Sequence, residues 1–284
     1  MTRIAIVGAG AIGGWVAARL ASAGLTVSLL ARGATAAAIA ADGLTLEEAD
    51  RRISVRPAVS DDAATLGPQD LVVFATKAHA LATAAEAARP LIGSDTLVLP
   101  MLNGVPWWFL ARDGVQLDSV DHGGRIARAL PLGQVIGCVV HASTAVAAPG
   151  RIVHKAGNGL ILGEPASGTS ARVAALAALF GSAGFAATAS ADVRYDIWYK
   201  LWGNLTMNPI SALTGADCAA ILDDPLVQGF ALRAMAEAAK VGAAIGCPIR
   251  ESGPDRIAVT RKLGAFRTSM LADAEAGRPS NSTR

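Results

Sequence analysis

Cysteine, aromatic residues and an excess of charge are all scarce in this sequence. Its 284 residues include three cysteines and four histidines, with 5% aromatic residues and a net charge of +2. Three widely spaced cysteines (Cys138, Cys218 and Cys247) exclude a disulfide framework and indicate reduced thiols. Neither the cysteines nor the histidines have metal-ligand spacing, so we predict no bound metal. The basic residues form no block, which argues against nucleic acid as a partner.

The sequence also lacks an uninterrupted apolar run that could cross a membrane. Apolar residues make up 52% of the chain, but the longest uncharged run, residues 173–191, contains two glycines and a serine at 181–184 and reads as helix, turn and strand. The start imitates a signal peptide, yet its apolar segment contains four glycines and Arg19 precedes the supposed cleavage site. We therefore expect a cytoplasmic protein with no membrane partner. Its length favours two domains.

A glycine-rich turn follows the first predicted strand. Residues 4–7 are apolar and predict a buried parallel strand, and residues from Trp15 onward predict a helix. Between them Gly8, Gly10 and Gly13 have G-x-G-x-x-G spacing, which in this context permits a tight turn, the approach of a pyrophosphate and close packing of helix on strand. The sequence thus predicts a dinucleotide site made by Gly8, Ala9, Gly10, Ala11, Ile12 and Gly13.

The second predicted strand, residues 25–30, ends at Arg32. Proteins that bind NAD usually have a carboxylate near this position for the ribose 2′-hydroxyl. A guanidinium suits a 2′-phosphate instead, so the sequence favours NADPH over NADH. The alternative is a solvated surface arginine.

Polar residues follow two further predicted strands. Residues 70–75 lead to Lys77, and residues 96–101 lead to Asn103. Alternating strands and helices predict an α/β fold with a Rossmann-type, doubly wound and mostly parallel sheet. The carboxyl ends of such strands share one edge, where we expect Lys77 near a phosphate and Asn103 near the nicotinamide or the substrate.

Later strands are predicted less regularly. Residues 135–140 predict a strand that ends at His141-Ala142, and we include Ala142 among the cofactor contacts. Residues 151–154 and 160–162 predict two antiparallel strands around a Gly157-Asn158-Gly159 hairpin turn. Beyond residue 190 only helical periodicity remains, broken at prolines that include Pro209. We therefore predict a dinucleotide-binding domain at 1–190 and an all-helical domain at 191–284.

One helix of the second domain carries polar residues on a single face. Lys200, Asn204 and Asn208 recur at i, i+4 and i+8, whereas the opposite face is apolar. The alternative is an ordinary amphipathic helix with a wet side. Asparagine is a poor helix former, however, and a face selected only for solubility would more readily carry Glu, Lys or Gln. Carboxamides beside a lysine suit a hydroxy-keto acid.

Together these segments resemble the ketopantoate reductases (2-dehydropantoate 2-reductases) over nearly the whole chain. The resemblance rests on the glycine turn and on five further segments: residues 76–78 (TKA), 102–104 (LNG), 198–209 (WYKLWGNLTMNP), 268–273 (TSMLAD) and 275–279 (EAGRP). It implies NADPH-dependent reduction of a 2-keto acid to a 2-hydroxy acid, namely ketopantoate to pantoate in pantothenate and coenzyme A biosynthesis.

The resemblance also implies roles for individual residues. Lys200 is expected to be the general acid. Asn103, Asn204 and Asn208 are expected to orient the substrate, and Ser269 to bind its carboxylate. Arg32 and Lys77 are expected to hold the 2′-phosphate. The oligomeric state is left open, with a homodimer as one alternative.

Two departures from the family qualify these expectations. Trp107 and Trp108 follow Asn103, and they are either core residues or residues that reshape the cleft for a 2-keto acid other than ketopantoate. Residues 280–284 stand where the family has a Glu-hydrophobic-Asp segment, and a one-base frame change would restore Val-Glu-Leu-Asp. We therefore hypothesise an altered, truncated C-terminus, and a catalytically impaired NADPH-binding remnant is the corresponding alternative.

Overall fold

The computed structural model describes residues 2–262 and 264–278, which fold into two units. The first unit spans Met1–Val193 and the second spans Arg194–Arg284. The division falls three residues beyond the position that the loss of strand patterning suggests. Each unit has its own apolar core.

Five strands of the first unit form a parallel sheet in the order β5-β2-β1-β6-β7. Most of their residues are buried because helices and a second sheet cover the faces, and this explains their continuous apolar runs. The strands are β1 (Arg3–Val7), β2 (Thr26–Leu30), β5 (Ala58–Ser60), β6 (Gln69–Phe74) and β7 (Ile92–Pro100).

A second, mixed sheet completes the strands of this unit. The strand order of this sheet is β10-β9-β3-β4. Strand β8 also pairs with β9, outside this linear order. The β8–β9 and β3–β4 pairs are antiparallel, whereas β9 is parallel to β3 and β10. The strands are β3 (Leu44–Glu47), β4 (Arg52–Val55), β8 (Gly137–Ala148), β9 (Arg151–Gly163) and β10 (Ala186–Ser190).

The predicted hairpin at Gly157-Asn158-Gly159 is wrong. Residues 151–163 form the single strand β9, and the hairpin turn lies at Pro149-Gly150, between β8 and β9. Gly157 has φ +75° inside the strand, opposite a register irregularity at His141–Ser143. The left-handed glycine therefore accommodates a β-bulge rather than a turn.

Helix α1 (Ala11–Ser22) lies between the two sheets. All residues from Gly13 to Leu20 are buried, so the helix has no wet face in this stretch. A Cβ atom on Gly14 would lie 2.6 Å from Ile152 Cγ1 of β9, so only glycine allows this approach. The other helices of the unit are α2 (Gly33–Asp42), α3 (Leu81–Ala87), α4 (Arg125–Ala129) and α5 (Ala171–Ser182).

The described part of the second unit contains helices and connecting segments. The helices are α6 (Val193–Thr214, which begins at the last residue of the first unit), α7 (Cys218–Asp223), α8 (Pro225–Ala244), α9 (Gly253–Arg261) and α10 (Ser269–Glu275). Contrary to the expectation from sequence, Pro209 lies inside α6 and does not end it. The neighbouring Met207, Ile210 and Ser211 are buried, and their packing offsets the backbone hydrogen bond that proline removes. No helix among the described residues is long and apolar enough to cross a membrane.

Candidate active site

Four neighbouring strands of the parallel sheet end side by side. Val7 of β1 pairs with Leu30 of β2 and with Phe74 of β6, and Phe74 pairs in turn with Pro100 of β7. Amide groups one residue past the strands extend this register, as Ala75 N–H donates to the Val7 carbonyl at 2.9 Å. The structure therefore brings the glycine turn and the loops that carry Arg32, Lys77 and Asn103 to one edge.

The turn at this edge depends on two glycines. Gly8 has φ +98°, a conformation that other residues rarely adopt, and its N–H donates to the Leu30 carbonyl at 3.0 Å. A Cβ atom on Gly13 would overlap the Gly8 carbonyl oxygen and lie 3.1 Å from Ala75 Cβ. Gly13 therefore lets α1 pack against the turn.

The space beside Gly10 is open. A Cβ atom at this position would meet no other atom within 4 Å, and Gly10, the N-cap residue of α1, provides no side chain to satisfy the first N–H groups. The first turn of α1 contains no acidic residue. An anion beside Gly10 would thus find free backbone N–H donors and the positive end of the helix dipole.

Thr76 is a residue of this edge to which the sequence had assigned no individual role. Its Cγ2 atom would lie 3.0 Å from a Cβ on Gly8, and its Oγ1 atom is buried with no hydrogen-bond partner among the described residues. A buried hydroxyl without a partner is costly unless a ligand or water provides one. This orphaned atom, the Gly13 contact and the open space at Gly10 all fit a bound dinucleotide phosphate.

The remaining predicted cofactor contacts differ in exposure. Ala9 is buried, and Ala11 and Ile12 are half-buried at the start of α1. Arg32 is exposed as the N-cap of α2 and forms no hydrogen bond or ion pair within the described residues. Lys77 is also exposed and directly precedes a short 3-10 turn. The cationic side chains at this edge are therefore accessible to an anionic ligand.

The predicted strand end at Ala142 is wrong. Strand β8 continues to Ala148, and Ala142 is half-buried in the second sheet, against the apolar core of the first unit. The strand bends at the irregularity between His141 and Ser143 instead of ending. Ala142 therefore does not follow a strand of the parallel sheet, although the prediction that it contacts the cofactor is not decided by this position.

Asn103 and the two tryptophans near it have different environments. Asn103 is exposed after β7, whereas Trp107 is 5% exposed and Trp108 is 2% exposed. The Trp108 ring would lie 2.9 Å from a Cβ on Gly137, so it packs on the start of β8. Both indoles are buried, so neither presents an exposed face.

Helix α6 carries the predicted catalytic face. Lys200, Asn204 and Asn208 lie on this one helix, and all three are half-buried. On the apolar side Ile197, Trp198 and Trp202 are buried, and Trp202 Nε1 donates to the Met235 carbonyl at 2.7 Å. This anchoring fixes the rotation of α6 within the second unit, and so fixes the direction of its polar face.

Tyr199 and Arg256 also hold α6, and sequence reasoning did not identify them. The Tyr199 hydroxyl donates to Glu251 Oε2 at 2.6 Å, and the Arg256 guanidinium lies 5.3 Å from the Tyr199 ring centre. Burial and the Glu251 hydrogen bond raise the pKa of Tyr199 to about 12. Arg256 packs so closely on Gly203 that a Cβ there would overlap it. Gly203 is therefore needed for the close packing of Arg256 on α6.

Ser269 is exposed in the first turn of α10. Thr268 caps this helix, since its Oγ1 accepts a hydrogen bond from Leu271 N at 3.2 Å. The buried Asp273 on the same helix accepts a hydrogen bond from Arg278 Nε at 3.0 Å. The cap and the ion pair hold the short helix that presents Ser269.

The first unit thus defines the class of the protein. A parallel sheet, a glycine turn that leads into a buried helix and open space beside Gly10 at the carboxyl edge are the features of a dinucleotide-binding α/β protein, and a helical unit follows. Within the described residues, no group of three or more metal-binding side chains is present.

Comparisons with known proteins identify the family. Residues 4–167 match the family described as "Ketopantoate reductase PanE/ApbA", and residues 192–282 match "Ketopantoate reductase PanE/ApbA C terminal". The chain belongs to the ketopantoate reductase family, whose members are oxidoreductases.

Individual relatives agree with this assignment. The chain is 45% identical to a 2-dehydropantoate 2-reductase from Mesorhizobium japonicum, over 98% of this chain and 87% of the relative. A crystal structure from Ralstonia solanacearum MolK2, proposed to be a ketopantoate reductase, is 55% identical with a TM-score of 0.93 over 95% of this chain and 86% of that one. The 2-dehydropantoate 2-reductase of Geobacter metallireducens GS-15 has a TM-score of 0.86 at 28% identity, over 98% and 89%.

The hypothesis of an altered C-terminus concerns residues 280–284, which lie outside the described residues. The C-terminal family match extends through residue 282 and gives the hypothesis no support.

Proposed function

We propose that this chain reduces ketopantoate to pantoate with NADPH, as a cytoplasmic enzyme of pantothenate biosynthesis. The alignment of four strand ends at one edge of the parallel sheet carries the proposal. Family membership across both units supports the same activity. NADPH, when bound, supplies the hydride, so the residues of the chain must bind, orient and protonate.

Cofactor binding is assigned to the edge of the first unit. The turn from Gly8 to Gly13 and the first N–H groups of α1 bind the pyrophosphate, and Thr76 Oγ1 gains a partner there. Arg32 and Lys77 bind the 2′-phosphate through charge-assisted hydrogen bonds, which a 2′-hydroxyl cannot match. These two cations are therefore the basis for choosing NADPH over NADH.

Substrate binding and protonation are assigned to four asparagine and serine side chains and one lysine. Asn103, Asn204 and Asn208 bind the keto and hydroxyl oxygens, and Ser269 binds the carboxylate. Lys200 donates a proton to the oxygen on which negative charge develops, and its own charge stabilises that oxygen before the proton moves. The half-buried position of Lys200 on an anchored helix suits this role, because a fixed donor loses little entropy in the reaction.

A different 2-keto acid was suggested by Trp107 and Trp108, but both are buried. We therefore retain ketopantoate as the substrate. As a separate point, a homodimer is the proposed assembled state.

The experiment is a steady-state assay of NADPH oxidation with ketopantoate on the full 284-residue chain. Lys200→Ala is expected to lower kcat about 100- to 10,000-fold, the usual contribution of a general acid, while NADPH binding measured by fluorescence stays close to that of the unmodified chain. Lys262→Ala, which removes an exposed lysine at the end of α9, is the matched control and should retain full activity.

Two results would overturn the proposal. Equal turnover by the Lys200→Ala variant would remove Lys200 from the chemistry. Tight NADPH binding with no turnover of any 2-keto acid would instead identify a non-catalytic remnant.

A further inference from the structure

A cavity of the first unit, which we call the amino-edge cavity, lies at the edge of the parallel sheet opposite the glycine turn. Its volume is about 420 Å³, and its walls come from residues 92–94 at the start of β7, from Arg89 just before them, and from α4 and the segment that follows it. Since β7 runs from Ile92 to Pro100, the cavity lies about 20 Å along this strand from the carboxyl edge, at the usual rise per residue. It is therefore separate from the edge assigned to the cofactor.

One wall of the cavity is a wide bulge at the start of β7. Gln69 and Leu71 of β6 are separated by one residue, whereas four residues, 93–96, separate their partners on β7. Thr96 closes this bulge, because its Oγ1 accepts a hydrogen bond from Gly93 N–H at 2.9 Å and donates one to the Gln69 carbonyl at 2.6 Å. The bulge is thus held in one shape before any ligand arrives.

Gln134 ties the bulge to the segment after α4. Its Nε2 donates to the Gly93 carbonyl at 2.6 Å and to the Ser94 carbonyl at 3.0 Å, so both amide hydrogens are used. Its Oε1 accepts no hydrogen bond from the described residues and is available to a hydroxyl group. The Asp95 carboxylate beside the bulge accepts from Ser94 Oγ at 3.1 Å and does not line the cavity.

Two arginines give the cavity its charge. Arg89 and Arg128 line it, both are exposed, and neither has a carboxylate oxygen within 4.0 Å in the part of the chain that the structure describes. Arg128 is held in place because its Nη1 donates to the Gly123 carbonyl at 2.5 Å. Glu86 cannot serve as its partner, since Arg125 already donates to both Glu86 oxygens, at 2.9 and 2.8 Å. Two positive charges without an acidic partner thus lie at one cavity.

The two guanidinium groups suit a phosphate monoester better than a single carboxylate. The guanidinium fork matches the oxygens of either anion, but a phosphate monoester carries a charge of about −1.5 to −2 at neutral pH and can balance both arginines. The volume also lies within the range of roughly 300–1,000 Å³ that is usual for small-molecule sites. Ile92, Ala129 and Pro131 complete the lining with apolar atoms, which suit the organic part of such a ligand.

We propose that the amino-edge cavity binds a small phosphate monoester with a hydroxylated organic group. Arg89 and Arg128 bind the phosphate, Gln134 Oε1 accepts a hydrogen bond from a hydroxyl, and the apolar lining contacts the carbon skeleton. Because both arginines are exposed and water screens their charge, the affinity should be modest, with a dissociation constant on the order of 1 mM. This inference does not depend on the proposed enzymatic activity.

Isothermal titration calorimetry of the full chain with glucose 6-phosphate tests the proposal. Saturable binding is expected, with the same dissociation constant in the presence and absence of NADPH, because the two edges of the sheet are separate. Arg89→Gln and Arg128→Gln should each raise the dissociation constant about tenfold or more. Arg52→Gln removes an exposed positive charge on β4. It is the matched control and should leave binding unchanged.

Two further probes test the class of ligand. Glucose, which has no phosphate, should not bind, and inorganic phosphate should bind more weakly than glucose 6-phosphate. Circular dichroism checks that each variant folds. The absence of saturable binding, or equal binding by the double variant Arg89→Gln/Arg128→Gln, would overturn the proposal. Weaker binding in the presence of NADPH would place the phosphate at the carboxyl edge instead, and equal affinity for inorganic phosphate would refute the organic part of the ligand.

Discussion

Gly13 packs directly on the carbonyl group of Gly8, with no room for a Cβ atom between them. We expect Gly13→Ala to push α1 away from the turn and to lower the free energy of unfolding by about 1–3 kcal/mol, the usual cost of overpacking. Because α1 carries the phosphate-binding N–H groups, NADPH affinity should fall as well. Urea unfolding and an NADPH titration measure the two effects, and an unchanged unfolding curve would contradict the close packing.

Gly10→Ala is the matched substitution at the same turn, and we expect it to act on binding alone. The space beside Gly10 is open and its φ is −78°, so alanine should change the free energy of unfolding by no more than about 1 kcal/mol. The new methyl group would occupy the space assigned to the pyrophosphate, and NADPH affinity should fall at least about tenfold, or about 1.4 kcal/mol. Unchanged affinity would place the pyrophosphate elsewhere.

Arg32→Glu should reverse the preference between the two nicotinamide cofactors. The substitution removes a charge-assisted hydrogen bond and repels the 2′-phosphate, and we expect NADPH affinity to fall roughly 10- to 100-fold. NADH lacks that phosphate and should bind as well as before or better. The ratio of kcat/KM values for the two cofactors measures the effect. Arg52→Glu, at an exposed position of β4, should leave the ratio unchanged.

Glu48→Gln should destabilise the first unit in a pH-dependent way. Arg19, buried at the end of α1, donates from Nε to Glu48 Oε1 at 2.8 Å, and Arg51 donates to the other oxygen at 2.5 Å. Burial alone would raise the pKa of Glu48, but the two arginines lower it overall, below 4.5. The ionised carboxylate therefore contributes stability above about pH 4.5, and this contribution is lost as the pH falls through the lowered pKa.

At neutral pH the Glu48→Gln variant should lose about 3–5 kcal/mol of unfolding free energy, because Arg19 would stay buried without its charge partner. The difference from the unmodified chain should shrink as the pH falls below 4.5. Denaturant unfolding at several pH values measures this trend. Glu47→Gln breaks a half-exposed pair with Arg151 and should cost less than about 1 kcal/mol at any pH. A pH-independent loss in the Glu48 variant would contradict the assignment.

Trp108→Phe should reduce stability without altering the choice of substrate. The indole is buried against Gly137, and its Nε1 has no hydrogen-bond partner among the described residues. A smaller ring leaves a cavity, and the resulting destabilisation should be about 1–3 kcal/mol. A panel of 2-keto acids assayed with NADPH should give the same order of kcat/KM as the unmodified chain. A changed order would show that the indole shapes the substrate site after all.

The parallel sheet and its edge could be predicted from the sequence because its strands are buried on both faces. Strands such as β1 and β6 are largely continuous apolar runs. The residues that follow each run lie at the carboxyl edge of the sheet, so the end of the run locates that edge in the sequence. The helical face of Lys200, Asn204 and Asn208 could be predicted for a similar reason, since a regular period survives in the sequence.

The second sheet could not be predicted in this way. Strand β9 contains glycines and polar residues on a partly exposed surface, and Gly157-Asn158-Gly159 resembles a turn unless the opposing bulge is known. The Arg19–Glu48 ion pair joins residues 29 positions apart, a partnership with no local signature. The continuation of α6 past Pro209 depends likewise on tertiary packing.

The central place of β9 has a consequence for synthesis on the ribosome. This strand pairs with β3, which is made about a hundred residues earlier, and with β10, which is made after it. While the nascent chain emerges, β1, β2, β6 and β7 can pair first, but β3 must wait with one edge open until Arg151–Val153 leaves the exit tunnel. Translation pauses before that point would prolong the exposure of an unpaired strand edge, a feature that favours aggregation.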